Sequence, residues 1–352
     1  VVFNHEEVAA DELVVPYVDK TGSQTSVVKG FVPTTSKLCS GDWYFSKSFA
    51  TNCVSSVQQA LCCNFMTSYA ARASLWATQG FVVIMPDYAG MGKGAGSTPT
   101  KVPPAYQKST YAGAIVDALD VFYGDEVQGL VPVKKSTRLL VGGFDEGGYA
   151  TMAVLKTLDT NPPRGLRLVA AFPQSFPYVF KTYAEDLTAR FLDNTTVYES
   201  TPEKWRAIRL LLAGTSRAAA YDEESKLFEG GATAYTTVRD TLVTKTCLDP
   251  VCSSTISAVD PSAYFKSSMR TKLKDKAWPD DLTAAVVSEN TLSVDWKPKA
   301  RTFFCSSLTD RMVPASHTQQ AKIDLEKQGG TVIWDTPTTM TADAHFEANV
   351  QC

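Results

Sequence analysis

Residues 137–150 constrain this chain more than any other stretch. An apolar run, Leu139-Leu140-Val141, enters a glycine-rich corner, Gly142-Gly143-Phe144-Asp145-Glu146-Gly147-Gly148. A helical pattern leaves it, with Tyr149, Met152, Ala153 and Leu155 as its apolar positions. A strand that turns into a helix within so few residues holds its corner residue in a crowded backbone, which needs small neighbours. Gly143 and Gly147 supply them, and the residue between is Asp145, flanked by Phe144 and Glu146.

The rest of the chain has the same rhythm. Residues 1–24 are polar, with Pro16 and Gly22, and read as an N-terminal arm or an edge hairpin. Ser26 to Pro33 reads as a strand ending at proline. Residues 34–64 carry four cysteines and read as an irregular, stapled loop, and residues 65–79 have helical spacing. Phe81-Val82-Val83-Ile84-Met85 is a short apolar run, expected as a strand buried on both faces. Residues 110–123 place Ala112, Ile115, Leu119 and Phe122 on one side of a helix. Leu166 to Phe172 is a further strand. Strand grammar then stops until Ala300 to Cys305, and the interval reads as helices near 178–192, 202–219, 260–274 and 279–290. A helix over 316–328, closed by Gly329-Gly330, precedes a last strand, Thr331 to Trp334. Alternating strands and helices imply an α/β fold with a mostly parallel sheet covered on both faces. The expected division is a core of residues 1–172 and 296–352, with 173–295 as a mainly helical cap or lid over the carboxyl edge of the sheet, where the active sites of such sheets lie.

Composition excludes some classes. The net charge of -3 gives no electrostatic case for nucleic acid. No apolar run approaches the roughly 20 residues of a membrane-spanning helix. The eight cysteines show no C-x-x-C pair with histidine partners, so neither a zinc site nor any other cofactor is expected. Cys247 and Cys252 read as a local staple, and the even cysteine count points to an oxidising compartment. With a start at Val1, no leader pattern and a sequon at Asn194, the chain reads as a mature secreted glycoprotein whose signal peptide has been removed. The expected partner is a small apolar or amphipathic substrate. The sequence is silent on oligomeric state.

Three pieces together resemble the α/β-hydrolase superfamily, most closely its secreted lipase and esterase branch. They are Gly80 to Tyr88 with Gly90 and Gly92, Gly143 to Ala150, and Ser307 to Pro314. The second piece resembles the nucleophile elbow of that family, G-x-Nuc-x-G, with Asp145 in the slot usually held by serine. The family order of nucleophile, acid and histidine implies Asp145, Asp310 and His345. The imidazole of His345 would move protons near neutral pH, and the carboxylate of Asp310 would orient it. Asp343 is the alternative acid. Of the other two histidines, His5 lies in the arm, and His317 opens a helix and reads as a surface or capping residue. The resemblance also implies an oxyanion hole. The backbone N–H of Glu146 is one candidate donor and Thr34 or Thr35 a second, because Pro33 has no N–H to give. Tyr88 and Tyr178 are candidate substrate contacts.

Aspartate changes the chemistry of that slot. A carboxylate gains nothing by attacking an ester, since an anhydride results. It is effective at a saturated carbon bearing a leaving group, where an alkyl-enzyme ester forms and activated water cleaves it. Epoxide hydrolases and haloalkane dehalogenases in the superfamily work this way. Glu146 stands where they usually have tryptophan, which disfavours dehalogenation. Epoxide opening needs acidic hydroxyls over the nucleophile, and the helical insertion offers Tyr178, Tyr183, Tyr198, Tyr221, Tyr235 and Tyr264. Three readings stay open: a hydrolase using Asp145 on an epoxide or other alkyl electrophile, a lipase- or esterase-type protein whose serine has been replaced, and a non-hydrolytic acid–base catalyst or apolar-ligand carrier.

Overall fold

The computed structural model describes residues 10–18, 25–33, 43–47, 81–86, 105–124, 138–193, 207, 208, 210–212, 222–240, 261–287, 290–310 and 312–335. Eight strands form one sheet: β1 (Ala10–Val18), β2 (Thr25–Pro33), β3 (Trp43–Lys47), β4 (Phe81–Pro86), β5 (Arg138–Phe144), β6 (Arg167–Gln174), β7 (Arg301–Cys305) and β8 (Val332–Asp335). Their order across the sheet is β1-β2-β4-β3-β5-β6-β7-β8. β1 pairs antiparallel with β2, and β2 with β4; every pair from β4 through β3 to β8 is parallel. The N-terminal residues therefore form the expected edge hairpin.

β3 overturns the reading of residues 34–64 as an irregular loop. It lies inside that segment and inserts between β4 and β5. Its aromatic run, Trp43-Tyr44-Phe45, suits a strand. The strand is short, and the surrounding cysteines and turn residues mask its pattern.

The central strands are covered on both faces. Val83 and Ile84 in β4 are adjacent, point to opposite faces, and are both buried. In β5 all residues from Leu139 to Phe144 are buried. Three helices matter most for the site: α1 (Lys108–Tyr123), α2 (Glu146–Thr160) and α3 (Phe180–Asp193). α1 turns Tyr111, Ile115, Leu119 and Phe122 inward, one helical stripe. α2 packs between α1 and strands β5 and β6, and its first ten residues are all buried. Gly148 makes that approach possible: a Cβ there would lie 2.6 Å from the carbonyl oxygen of Gln174 and 2.9 Å from Cβ of Phe176.

Between β6 and β7 the described residues include four helices besides α3, two of which have no distinct sequence signal. They are α4 (Glu223–Leu227), α5 (Gly231–Asp240), α6 (Ser267–Lys274) and α7 (Asp280–Val287). α4 and α5 were hidden by their polar, glycine-broken sequence, and α6 packs on α3. Helix α8 (Ala315–Lys327) follows β7 and closes as expected. Gly329 adopts φ 85°, its N–H donates to the carbonyl of Glu326, and the N–H of Gly330 donates to that of Leu325. This is the paired bonding of a glycine-terminated helix. No helix among the described residues is long and apolar enough to cross a membrane.

Candidate active site

Sheet register assembles the site edge. Phe144 at the end of β5 aligns with Gln174 at the end of β6, Gln174 with Cys305 of β7, and Cys305 with Asp335 of β8. The segments carrying Asp145, Ser175 and Ser306 to Asp310 therefore leave the sheet at one level. The last strand, β8, ends at Asp335 on the same level. His345 itself lies outside the described residues, as do Thr34, Thr35, Tyr88 and Asp343.

Asp145 occupies the corner with φ 55° and ψ −114°, a conformation that side chains rarely adopt. Two backbone bonds hold it. Its N–H donates to the carbonyl of Gln174 at 2.9 Å, and its carbonyl accepts from the N–H of Tyr149 at 2.9 Å. The strand before it and the helix after it are both deeply packed, so the surroundings over-determine the strained turn. The side chain is 4% exposed and does not cap α2. Its Oδ1 instead accepts from the hydroxyl of Tyr106 at 3.1 Å. The amino end of α2 adds a favourable field for a negative charge at this position.

Glu146 begins α2 and is also buried. Its Oε1 accepts a short hydrogen bond from the hydroxyl of Tyr111. The N–H of Tyr106 donates to that same hydroxyl at 2.9 Å. Two adjacent acidic residues thus each receive a tyrosine, and the tyrosines are bonded to each other.

Tyr106 is itself at a positive φ of 53°. Its ring lies 5.3 Å from that of Tyr149, edge on, 5.4 Å from Phe180 and 6.0 Å from Tyr183. These contacts fix where its hydroxyl points. Sequence reasoning looked for such a hydroxyl in residues 173–295; the structure brings it from the segment just before α1. Tyr106 and Tyr111 stand five apart across a helix start, a spacing with no recognisable signature.

Tyr178 is engaged elsewhere. Its hydroxyl donates to Oδ2 of Asp324 on α8 at 2.9 Å, and burial together with that carboxylate raises its pKa well above the ordinary value. It ties the segment after β6 to α8 and makes no described contact with Asp145. Tyr183 packs against Tyr106 and His317, and Tyr235 against Phe228.

Asp310 is 5% exposed, and its Oδ1 accepts from the N–H groups of Met312 and Val313, both at 2.9 Å. The loop after β7 therefore pins the carboxylate at the carboxyl edge. His317 differs from its expected surface role: it is 4% exposed, and its Nδ1 accepts from the N–H of Val179 at 3.1 Å. Burial lowers its pKa to about 4, against the opposing pull of Asp186 and Asp310. It is a neutral core histidine that joins α8 to the start of α3.

No family model matches the chain, and no curated protein does. Solved structures do. The rice cell wall degrading esterase LipA from Xanthomonas oryzae superposes with a TM-score of 0.71 at 18% identity, over 98% of this chain and 89% of that one. Candida antarctica lipase A in its closed state gives 0.62 at 15% identity, over 97% of this chain and 74% of that one. Taken with the sheet order, the strained corner and the acid loop at one sheet edge, these likenesses give this chain the α/β-hydrolase fold.

Proposed function

We propose that the protein is a secreted hydrolase that uses Asp145 as a covalent nucleophile on an epoxide or similar alkyl electrophile, with Asp310 and His345 as its acid–histidine pair. The observation that carries this reading is the Tyr106 hydroxyl, 3.1 Å from the carboxylate of Asp145 at the strained corner. The carboxylate of Asp145 would attack an epoxide carbon through one oxygen and form an ester bond as the carbon–oxygen bond of the ring breaks. Tyr106 would give its proton to the leaving alkoxide. His345, oriented by Asp310, would then take a proton from water as that water attacks the ester carbonyl carbon. The diol leaves, Asp145 regains a carboxylate carrying one oxygen from water, and the proton on His345 returns to Tyr106. The sum is one epoxide plus one water to one diol. Residues 173–295 would roof this edge, since Phe180 and Tyr183 of α3 already wall Tyr106.

Secretion is supported by Cys305, which is disulfide-bonded at the end of β7. Intact mass after mixing a His345→Gln variant with aryl epoxides tests the mechanism. The proposal expects an adduct of the epoxide's mass, localised to Asp145. Fast diol formation without an adduct contradicts it.

A second reading is favoured by the esterase and lipase neighbours. In it the corner once held serine, and the protein retains an acyl-binding site with little ester turnover. Asp145→Ser would then create short-chain esterase activity. Absence of that activity in a folded Asp145→Ser variant removes this reading.

A further inference from the structure

At the opposite edge of the sheet lies a cavity of about 600 Å³, within the range of small-molecule sites. Its apolar floor includes Leu158, Leu166 and Leu168, and its rim carries Arg167, Lys299 and Arg301. From Arg167 to Gln174, β6 runs roughly 23 Å at about 3.3 Å per residue, so this cavity is remote from Asp145. The three cationic residues are exposed, and among the described residues none of them is ion-paired with a carboxylate. Among the described residues a single carboxylate, Asp159, lines the cavity, and both its oxygens accept hydrogen bonds. Oδ2 accepts from Trp296 Nε1 at 3.1 Å and from the N–H of Lys299 at 2.8 Å; Oδ1 accepts from the N–H of Ala300 at 3.0 Å. Asp159 is 8% exposed. It therefore anchors the backbone that presents Lys299 and Arg301 to the rim.

We infer that this groove is a second binding site, for a small amphipathic anion: a carboxylate or phosphate head on a short aliphatic tail. The head would sit among Arg167, Lys299 and Arg301. Two arginines favour an oxyanion with paired acceptors, which a planar guanidinium can meet with two parallel bonds. The tail would cover the leucine floor between the ends of α2 and β6, gaining from the apolar area it removes from water. Neither part suffices. An exposed cation binds a lone anion weakly, because water and salt screen it, and the floor is too small to hold a neutral chain tightly.

Calorimetric titration of the full chain with octanoate, octyl phosphate, inorganic phosphate and octanol tests this. The expected order is tight binding of one or both octyl anions and much weaker binding of phosphate and octanol. Which octyl anion binds better identifies the head. Lys299→Gln and Arg301→Gln should each weaken the octyl anions roughly five- to tenfold, as loss of a charge-assisted bond does, with unchanged melting temperature. Octanol binding as well as octanoate, or phosphate as well as octyl phosphate, overturns the inference. So does octanoate affinity that survives both rim substitutions and is lost in Asp145→Asn, since the anion would then occupy the corner site. Because the two edges are separate, failure here leaves the reading of Asp145 intact.

Discussion

The hydroxyl of Tyr106 donates to Oδ1 of Asp145 at 3.1 Å, and both residues hold positive φ angles. A strained tyrosine thus serves a strained aspartate. The neighbouring bond from Tyr111 to Glu146 is linked to it through the N–H of Tyr106. Tyr106→Phe and Tyr111→Phe should each destabilise the protein by roughly 1–3 kcal/mol, because each leaves a buried carboxylate short of a donor. The double variant should cost less than the sum of the two, since the pairs share Tyr106. Urea unfolding of the four proteins in the cycle measures this, and strict additivity would contradict the shared network.

Helix α2 sits where it does because residue 148 lacks a side chain. Gly148→Ala should destabilise by roughly 1–3 kcal/mol, as overpacking against fixed backbone does. The control is Gly113→Ala in α1, where a Cβ meets nothing within 4 Å. That change should stabilise by about 0.5–1 kcal/mol, from helix propensity. Opposite shifts in thermal midpoint are expected.

His317 makes stability depend on pH in a defined window. Its folded pKa is lowered to about 4, below the unfolded value of 6.5. Between these values the unfolded chain binds a proton that the folded one does not, so stability is lost as pH falls from 6.5 towards 4. The slope contributed approaches about 1.4 kcal/mol per pH unit. His317→Asn keeps an acceptor for the N–H of Val179 and cannot titrate. The difference between the two proteins' stability curves should therefore slope across that window and flatten above it.

Asp145→Ser separates the two functional readings by its kinetics. If the aspartate is the working nucleophile, the variant loses epoxide turnover by several orders of magnitude and gains no ester activity comparable with it. A gain in hydrolysis of short acyl esters, with no epoxide activity in the parent, would show that the corner is an esterase site with its nucleophile replaced.

Much of the frame was legible from residues alone. The corner at Asp145, the two-face burial of Val83 and Ile84, and the glycine stop after α8 each follow from local pattern and backbone sterics. So did the position of Asp310, a few residues beyond a strand end. What escaped was non-local. β3 carries only five residues and owes its place between β4 and β5 to pairing partners far away in sequence. Tyr106 reaches Asp145 across 39 positions because α1 and α2 pack together, and nothing in either local sequence announces it. His317 reads as polar on a helix start, yet the start of α3 buries it.

The central claim is that Asp145 attacks and is regenerated by water. Turnover of an aryl epoxide in heavy-oxygen water, followed by mass analysis of the peptide containing residues 138–156, tests it most directly. After repeated turnover the Asp145 carboxylate should carry the heavy isotope, while the diol from a first, single turnover should not. Diol that is labelled from the first turnover, with Asp145 unlabelled throughout, would contradict the account.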